Sequence, residues 1–180
     1  MLKALYLRTA KTGSSTIVNW GRGRFEITSN LIKIDSPENK ILIENYFKQN
    51  LFLFYSVRNP YERAVSSWAQ CINAGWRDKN FTFENFLDLD FSTLDNVHML
   101  THVQPITEYL GPWIDKVDFI IRLENLISNL KELAEKLQFP YEYPIPQYRG
   151  DYNRSKDYFT TENKKKIENK FKADFEFFGY

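Results

Sequence analysis

Ala4-Leu5-Tyr6-Leu7-Arg8-Thr9-Ala10-Lys11-Thr12-Gly13-Ser14-Ser15-Thr16-Ile17-Val18-Asn19-Trp20 decides the fold. The apolar run Ala4–Leu7 reads as a buried strand, roughly over 3–8, and Ile17–Trp20 belongs to a helix, roughly over 14–21. The residues between them form a strand-to-helix turn. Gly13 lets backbone approach a ligand with no Cβ in the way. A helix start offers unpaired N–H groups and a positive dipole end. The hydroxyls of Thr12, Ser14, Ser15 and Thr16 add donors, and Lys11 adds a full charge. Together they suit a phosphate or sulfate. The plainer alternative is that Gly and Ser only turn the chain and cap a helix. Lys11 precedes the glycine, so the stretch is not a Walker A loop and an ordinary ATP or GTP site is not expected.

Further along, Leu31–Asp35 reads as a second strand, and Ser36-Pro37 as the cap and first position of a helix reaching about residue 49. Leu51–Val57 is a continuous apolar run that suits a central parallel strand buried on both faces. Val57-Arg58-Asn59-Pro60-Tyr61-Glu62-Arg63 then opens a helix, with Asn59 as cap, Pro60 at N1 and Glu62 placed to complete a capping box. Ser66 follows Asn59 by almost two turns, so Arg58 and Ser66 could grip one anion; the alternative pairs Arg58 with Glu62. Phe83, Phe86, Leu87 and Leu89 suggest a short helix in a long connection, a candidate lid. Residues after Pro105 look helical, Val117–Arg122 is a fourth strand and Leu126–Leu137 an amphipathic helix. Phe139–Asp157 is irregular and carries Arg149, Arg154 and Lys156, and Thr161 is expected to cap one final helix with Ile167, Phe171 and Phe175 on its face.

Strands alternating with helices predict a single α/β domain over 1–180, a central parallel sheet flanked by helices. Ligands in such sheets bind beyond the carboxyl ends of the strands, where Lys11, Asp35 and Arg58 all fall. The 43% hydrophobic share fits a globular core, and a net charge of +1 provides no field for nucleic acid. One cysteine excludes an internal disulfide, and two histidines with it make a structural zinc site unexpected. No apolar run reaches the roughly 18 residues of a membrane span.

Five separated segments resemble the sulfotransferases, in the carbohydrate sulfotransferase branch (sulfotransferase family 2). Lys11–Thr16 resembles the loop that binds the 5′-phosphosulfate, with Ala10 where the family usually has proline. Val57–Arg63 through Ser66 looks like the 3′-phosphate motif. His102-Val103-Gln104-Pro105, Asp118–Leu126 and Lys172–Tyr180 complete the set, in order along most of the chain. The resemblance implies a P-loop-kinase-like sulfotransferase fold. It also implies transfer of a sulfuryl group from 3′-phosphoadenosine 5′-phosphosulfate (PAPS) to a hydroxyl or amine, in a carbohydrate acceptor, without a metal. Lys11 would neutralise the oxygen bridging sulfur and phosphorus; Thr12, Gly13, Ser14, Ser15 and Thr16 would hold the 5′ group, and Arg58 and Ser66 the 3′-phosphate. Arg149, Arg154 and Lys156 are candidates to close over the nucleotide or hold an anionic acceptor, the alternative being a solvated charged loop. The base stays open between Asp35, His102 and Glu26, in that order. The chain enters a strand at once, so a soluble, cytoplasmic enzyme of bacterial or viral origin is expected rather than a Golgi-anchored one. The rival readings are a magnesium- and ATP-dependent phosphotransferase, and an inactive glycan- or nucleotide-binding protein of the same fold.

Overall fold

The computed structural model describes residues 3–29, 33–144 and 157–180. Its centre is a four-stranded, wholly parallel sheet in the order β2-β1-β3-β4. The strands are β1 (Ala4–Leu7), β2 (Glu26–Ile27), β3 (Phe52–Val57) and β4 (Phe119–Arg122). Side chains alternate across β1 and β3, as the pleat requires. Leu5, Leu7, Leu53, Tyr55 and Val57 enter one core, and Ala4, Tyr6 and Phe54 enter the other. The first core is closed by α2 (Pro37–Lys48), α6 (Ile106–Leu110) and α9 (Lys172–Phe178). The second is closed by α1 (Ser14–Trp20) and α7 (Leu126–Leu137). With both faces covered, the strands carry near-continuous apolar runs.

A third core lies among α3 (Pro60–Asn73), α4 (Phe83–Asp88), α5 (Val97–Val103) and α8 (Thr161–Lys170). Phe83, Phe86 and Leu87 are buried there with Ala64, Cys71 and Ile167, so the expected lid is part of the core.

The second strand is not where the periodicity suggests. Residues 33–35 form a turn, and 31 and 32 lie outside the described residues. Asn39 explains the turn: its side chain donates to the carbonyls of Ser29 (3.0 Å) and Lys33 (3.1 Å) and accepts from the Ser29 amide (3.1 Å). Those groups are then unavailable to a ladder. The neighbour of β1 is instead Glu26–Ile27, extended by the Thr28 amide on the Tyr6 carbonyl at 3.0 Å. The end of the chain differs too. Thr160, not Thr161, caps α8 by accepting from the Asn163 amide at 3.1 Å. The helix then breaks at Phe171, which is buried beneath the Arg63 guanidinium, into α9.

Asp174 on α9 is buried and organises this region. It accepts from the amides of Ile106 and Thr107, both at 2.9 Å, and from the Thr107 hydroxyl at 2.8 Å. One carboxylate thereby satisfies the first turn of α6, which Pro105 cannot cap. It also faces the buried Arg63 guanidinium at 4.0 Å. Removing one member of a buried pair leaves an uncompensated charge. Asp174→Ala should therefore lose about 3–5 kcal/mol of unfolding free energy. Urea denaturation at pH 7 measures it, and a loss below about 1 kcal/mol, the scale of a surface pair, would show the pair to be incidental.

Candidate active site

The turn after β1 is held from inside by hydroxyls. Thr9 donates to the Ser56 carbonyl, and Thr12 donates to the Thr9 carbonyl at 3.0 Å. Thr12 Oγ1 also lies 2.6 Å from the Ser56 hydroxyl, which meets Tyr6 on its other side. The Thr12 side chain is fully buried. Its hydroxyl braces the loop from within rather than adding to the surface donors that its position suggests.

Lys11 and Gly13 both have left-handed backbone, at φ 65° and 79°. Gly13 has a second reason to be glycine: a Cβ there would stand 2.5 Å from the Leu123 Cδ1. Lysine gains nothing from this region, and such conformations cluster at functional sites. Gly13 caps α1 with its carbonyl, which accepts from the amides of Thr16 (3.0 Å) and Ile17 (3.2 Å). It has no side chain to bond the first-turn amides, which suits an incoming anion. Ser14 and Thr16 are buried beside the turn, and Ser15 is half-buried.

Parallel pairing puts the ends of β1 and β3 on one edge, so Lys11 and Arg58 both emerge there. Arg58 is largely buried and pairs with Glu62 at 3.1 Å. Glu62 therefore does not complete a capping box. The Asn59 amide instead donates to Glu124 Oε1, at 2.6 Å, from the loop after β4. Ser66 lies half-buried on α3, one turn before Gln70. The Lys11 ammonium donates to Gln70 Oε1 at 3.0 Å.

The structure separates the three base candidates. Asp35 is exposed in the turn before α2 and ends no strand. Glu26 is exposed on the edge strand β2. His102 is buried at the end of α5, close enough to Lys11 and Arg63 for their charges to oppose its protonation. Its Nδ1 donates to the His98 carbonyl at 2.9 Å, an assignment that follows from the acceptor. In the neutral ring, Nε2 is then the basic nitrogen. Arg149, Arg154 and Lys156 lie outside the described residues.

Arg63 and Gln70 carry weight that the motif pattern does not show. Arg63 is 1% exposed and donates to the carbonyls of Ala10 (Nε, 3.3 Å) and Gln104 (Nη2, 2.8 Å). Its signal in the sequence is an arginine on the apolar stripe of a helix, in step with Ala64, Ser67 and Cys71.

Lys11, in the strand-to-helix turn after β1, and Arg58, just past the adjacent parallel strand β3, thus stand at one edge of the sheet. The model of the sulfotransferase family, in its family 2 branch, matches residues 3–180, and the chain belongs to that family. No curated protein is significantly similar to it in sequence. Among the described residues no group of three or more His, Cys, Asp or Glu side chains converges as metal ligands, and no helix is long and apolar enough to cross a membrane.

Burial pushes His102 down to about 4, with the charges of His98, Lys11 and Arg63 adding to the effect. The unfolded chain, with an ordinary value near 6.5, binds this proton more readily than the folded one. Stability from this group is therefore complete above pH 6.5 and is lost as the pH falls towards 4. The loss should be on the order of 3 kcal/mol. Denaturant titrations across that range should show a steeper pH dependence for the wild type than for His102→Gln. Equal slopes would refute the assignment.

Proposed function

We propose that the chain transfers a sulfuryl group from PAPS to a hydroxyl or amine of a carbohydrate acceptor. The observation that supports this best is Lys11 on a left-handed turn, its ammonium directed by Gln70 and its charge felt by His102. The donor supplies an activated sulfuryl group on a phosphate leaving group. In this reading the turn receives the 5′ end of the nucleotide: backbone amides at the start of α1, with Ser14, Ser15 and Thr16, accept its charge, and Thr12 contributes through backbone. Arg58 and Ser66 hold the 3′-phosphate, which ATP lacks. Arg58 would exchange all or part of its bond to Glu62 for that phosphate. Arg154 and Lys156 are proposed to close over the nucleotide.

The acceptor proton goes to His102 Nε2 in this proposal. With a value of about 4 in the unliganded protein, His102 is neutral at pH 7 and available as a base. Anionic phosphates arriving beside it raise its proton affinity, which improves it for that task. Asp35 is displaced from first rank by its exposed turn. No metal is invoked, because Lys11 and the amides supply the positive charge. Isothermal titration with adenosine 3′,5′-bisphosphate and with Mg-ATP separates this reading from a kinase-like phosphotransferase. A sulfur-35 transfer assay over a glycan panel separates an enzyme from a binding protein.

Arg58→Ala should weaken adenosine 3′,5′-bisphosphate binding by roughly 1.5–3 kcal/mol, the range for a charge-assisted hydrogen bond. Binding of AMP should barely change, and equal losses for both would remove Arg58 from the 3′-phosphate site.

Lys11 should matter most in the transition state, since charge on the bridging oxygen grows only as the S–O bond breaks. Lys11→Ala should cut kcat by on the order of 10²–10³, with a much smaller change in bisphosphate affinity. Lys11→Arg, of different reach and geometry, should restore only part of the rate. Near-normal turnover of a folded Lys11→Ala protein would make this lysine structural.

A further inference from the structure

We propose that Gln70 is the positioning residue for Lys11, and that an amide stands there because it directs the ammonium without neutralising it. The proposal rests on the sulfuryl-transfer reading of the site. Lys11 is already constrained along its backbone. The Ala10 carbonyl is bonded by the buried Arg63, and the trans peptide turns the Lys11 N–H the opposite way, away from that guanidinium. Thr12, on its other side, is fastened to Thr9 and Ser56. The remaining freedom is in the four-carbon side chain, whose rotamer entropy is among the largest of any residue. The bond to Gln70 Oε1 at 3.0 Å removes much of it.

The support is rigid. Arg63, Ser67 and Gln70 stand at successive turns of α3. Arg63 holds the Ala10 carbonyl, and Ser67 donates to the His102 carbonyl at 2.8 Å. One helix face thus sets the backbone before the lysine, the lysine tip and the segment carrying the histidine. The chemistry of the partner matters as much as its place. A carboxylate at position 70 would hold the same hydrogen bond but would form an ion pair, cancel the local field and repel an anionic ligand. A neutral carbonyl oxygen supplies direction without itself cancelling the charge that the anion would meet.

The test compares the wild type with Gln70→Met, which keeps size but has no strong acceptor, and Gln70→Glu, which keeps the acceptor and adds charge. Position 70 is half-buried on the surface of α3, so the melting temperature should be almost unchanged in both. In Gln70→Met, kcat should fall on the order of tenfold while the Kd for adenosine 3′,5′-bisphosphate stays within about twofold, the pattern of a misplaced catalytic group rather than a lost binding contact. In Gln70→Glu, both should worsen, with bisphosphate binding weakened several-fold. A second readout does not depend on turnover: the ¹⁵N resonance of the Lys11 Nζ, identified by its loss in Lys11→Arg, should shift in Gln70→Met. Wild-type kcat in Gln70→Met, or a fall in kcat accompanied by a rise in Kd and a lowered melting temperature, would overturn the proposal. If the wild type transferred no sulfuryl group, the sulfotransferase reading would fail. The Nζ resonance would still decide the positioning, supporting it by a shift and overturning it by none.

Discussion

A single guanidinium, that of Arg63, holds together parts of the chain that are far apart in sequence. It is buried, donates to the carbonyls of Ala10 and Gln104 and faces Asp174. The turn after β1, the junction before α6 and the terminal helix α9 therefore meet on one side chain. Burying such a charge is expensive unless it is paired and hydrogen-bonded. The pairing is incomplete: Nη1 has no hydrogen-bond partner, and at 4.0 Å from Asp174 it is in ionic contact only. Burial accordingly pushes Arg63 down to about 10, against the opposing pull of Asp174, which leaves it charged at neutral pH.

The recognisable segments divide into two kinds of work. Lys11–Thr16 and Arg58–Ser66 present side chains and amides at the sheet edge. The other three carry residues that brace them from behind. Gln104 accepts from Arg63, and Asp174 faces it and holds the start of α6. Glu124 receives both the Asn59 amide, which opens α3, and the Tyr180 hydroxyl. Leu123 fills the space that a side chain at Gly13 would need. Asp118 fixes the start of β3 against β4 through two bonds to Leu53, each 2.8 Å. Residues outside the turn thereby set its geometry.

The local grammar of the chain was legible wherever short-range physics governed it. The run Ala4–Leu7 before a glycine turn, the continuous apolar stretch ending at Val57, the Asn59-Pro60 helix start and the amphipathic pattern of Leu126–Leu137 all form the elements that their spacing implies. So does the parallel α/β architecture, because strands of that kind need covering on both faces. Lys11, Gly13 and Arg58 were identifiable as residues at one edge of the sheet for the same reason. The expected pairing of Arg58 with either an anion or Glu62 was also a local matter, and Glu62 is its neighbour here.

Tertiary structure decided what depends on partners distant in sequence. The run 31–35 reads as a strand in sequence, yet over its described part, 33–35, the chain turns, with the Asn39 side chain bonded to the Lys33 carbonyl; the strand beside β1 is Glu26–Ile27, and Asp35 stands exposed in a turn. Glu62 could have closed a capping box, but Glu124 from beyond β4 reaches the Asn59 amide first. Thr12 looks like a ligand hydroxyl in sequence and becomes an internal brace only because Ser56 lies beneath it. Burial, reinforced by nearby positive charge, separates His102 from an ordinary histidine, and only the folding of α3 against the turn brings Gln70 to the Lys11 ammonium. A pattern along the chain carries which groups are available; desolvation and long-range hydrogen bonding, which no local window contains, determine which of them meet.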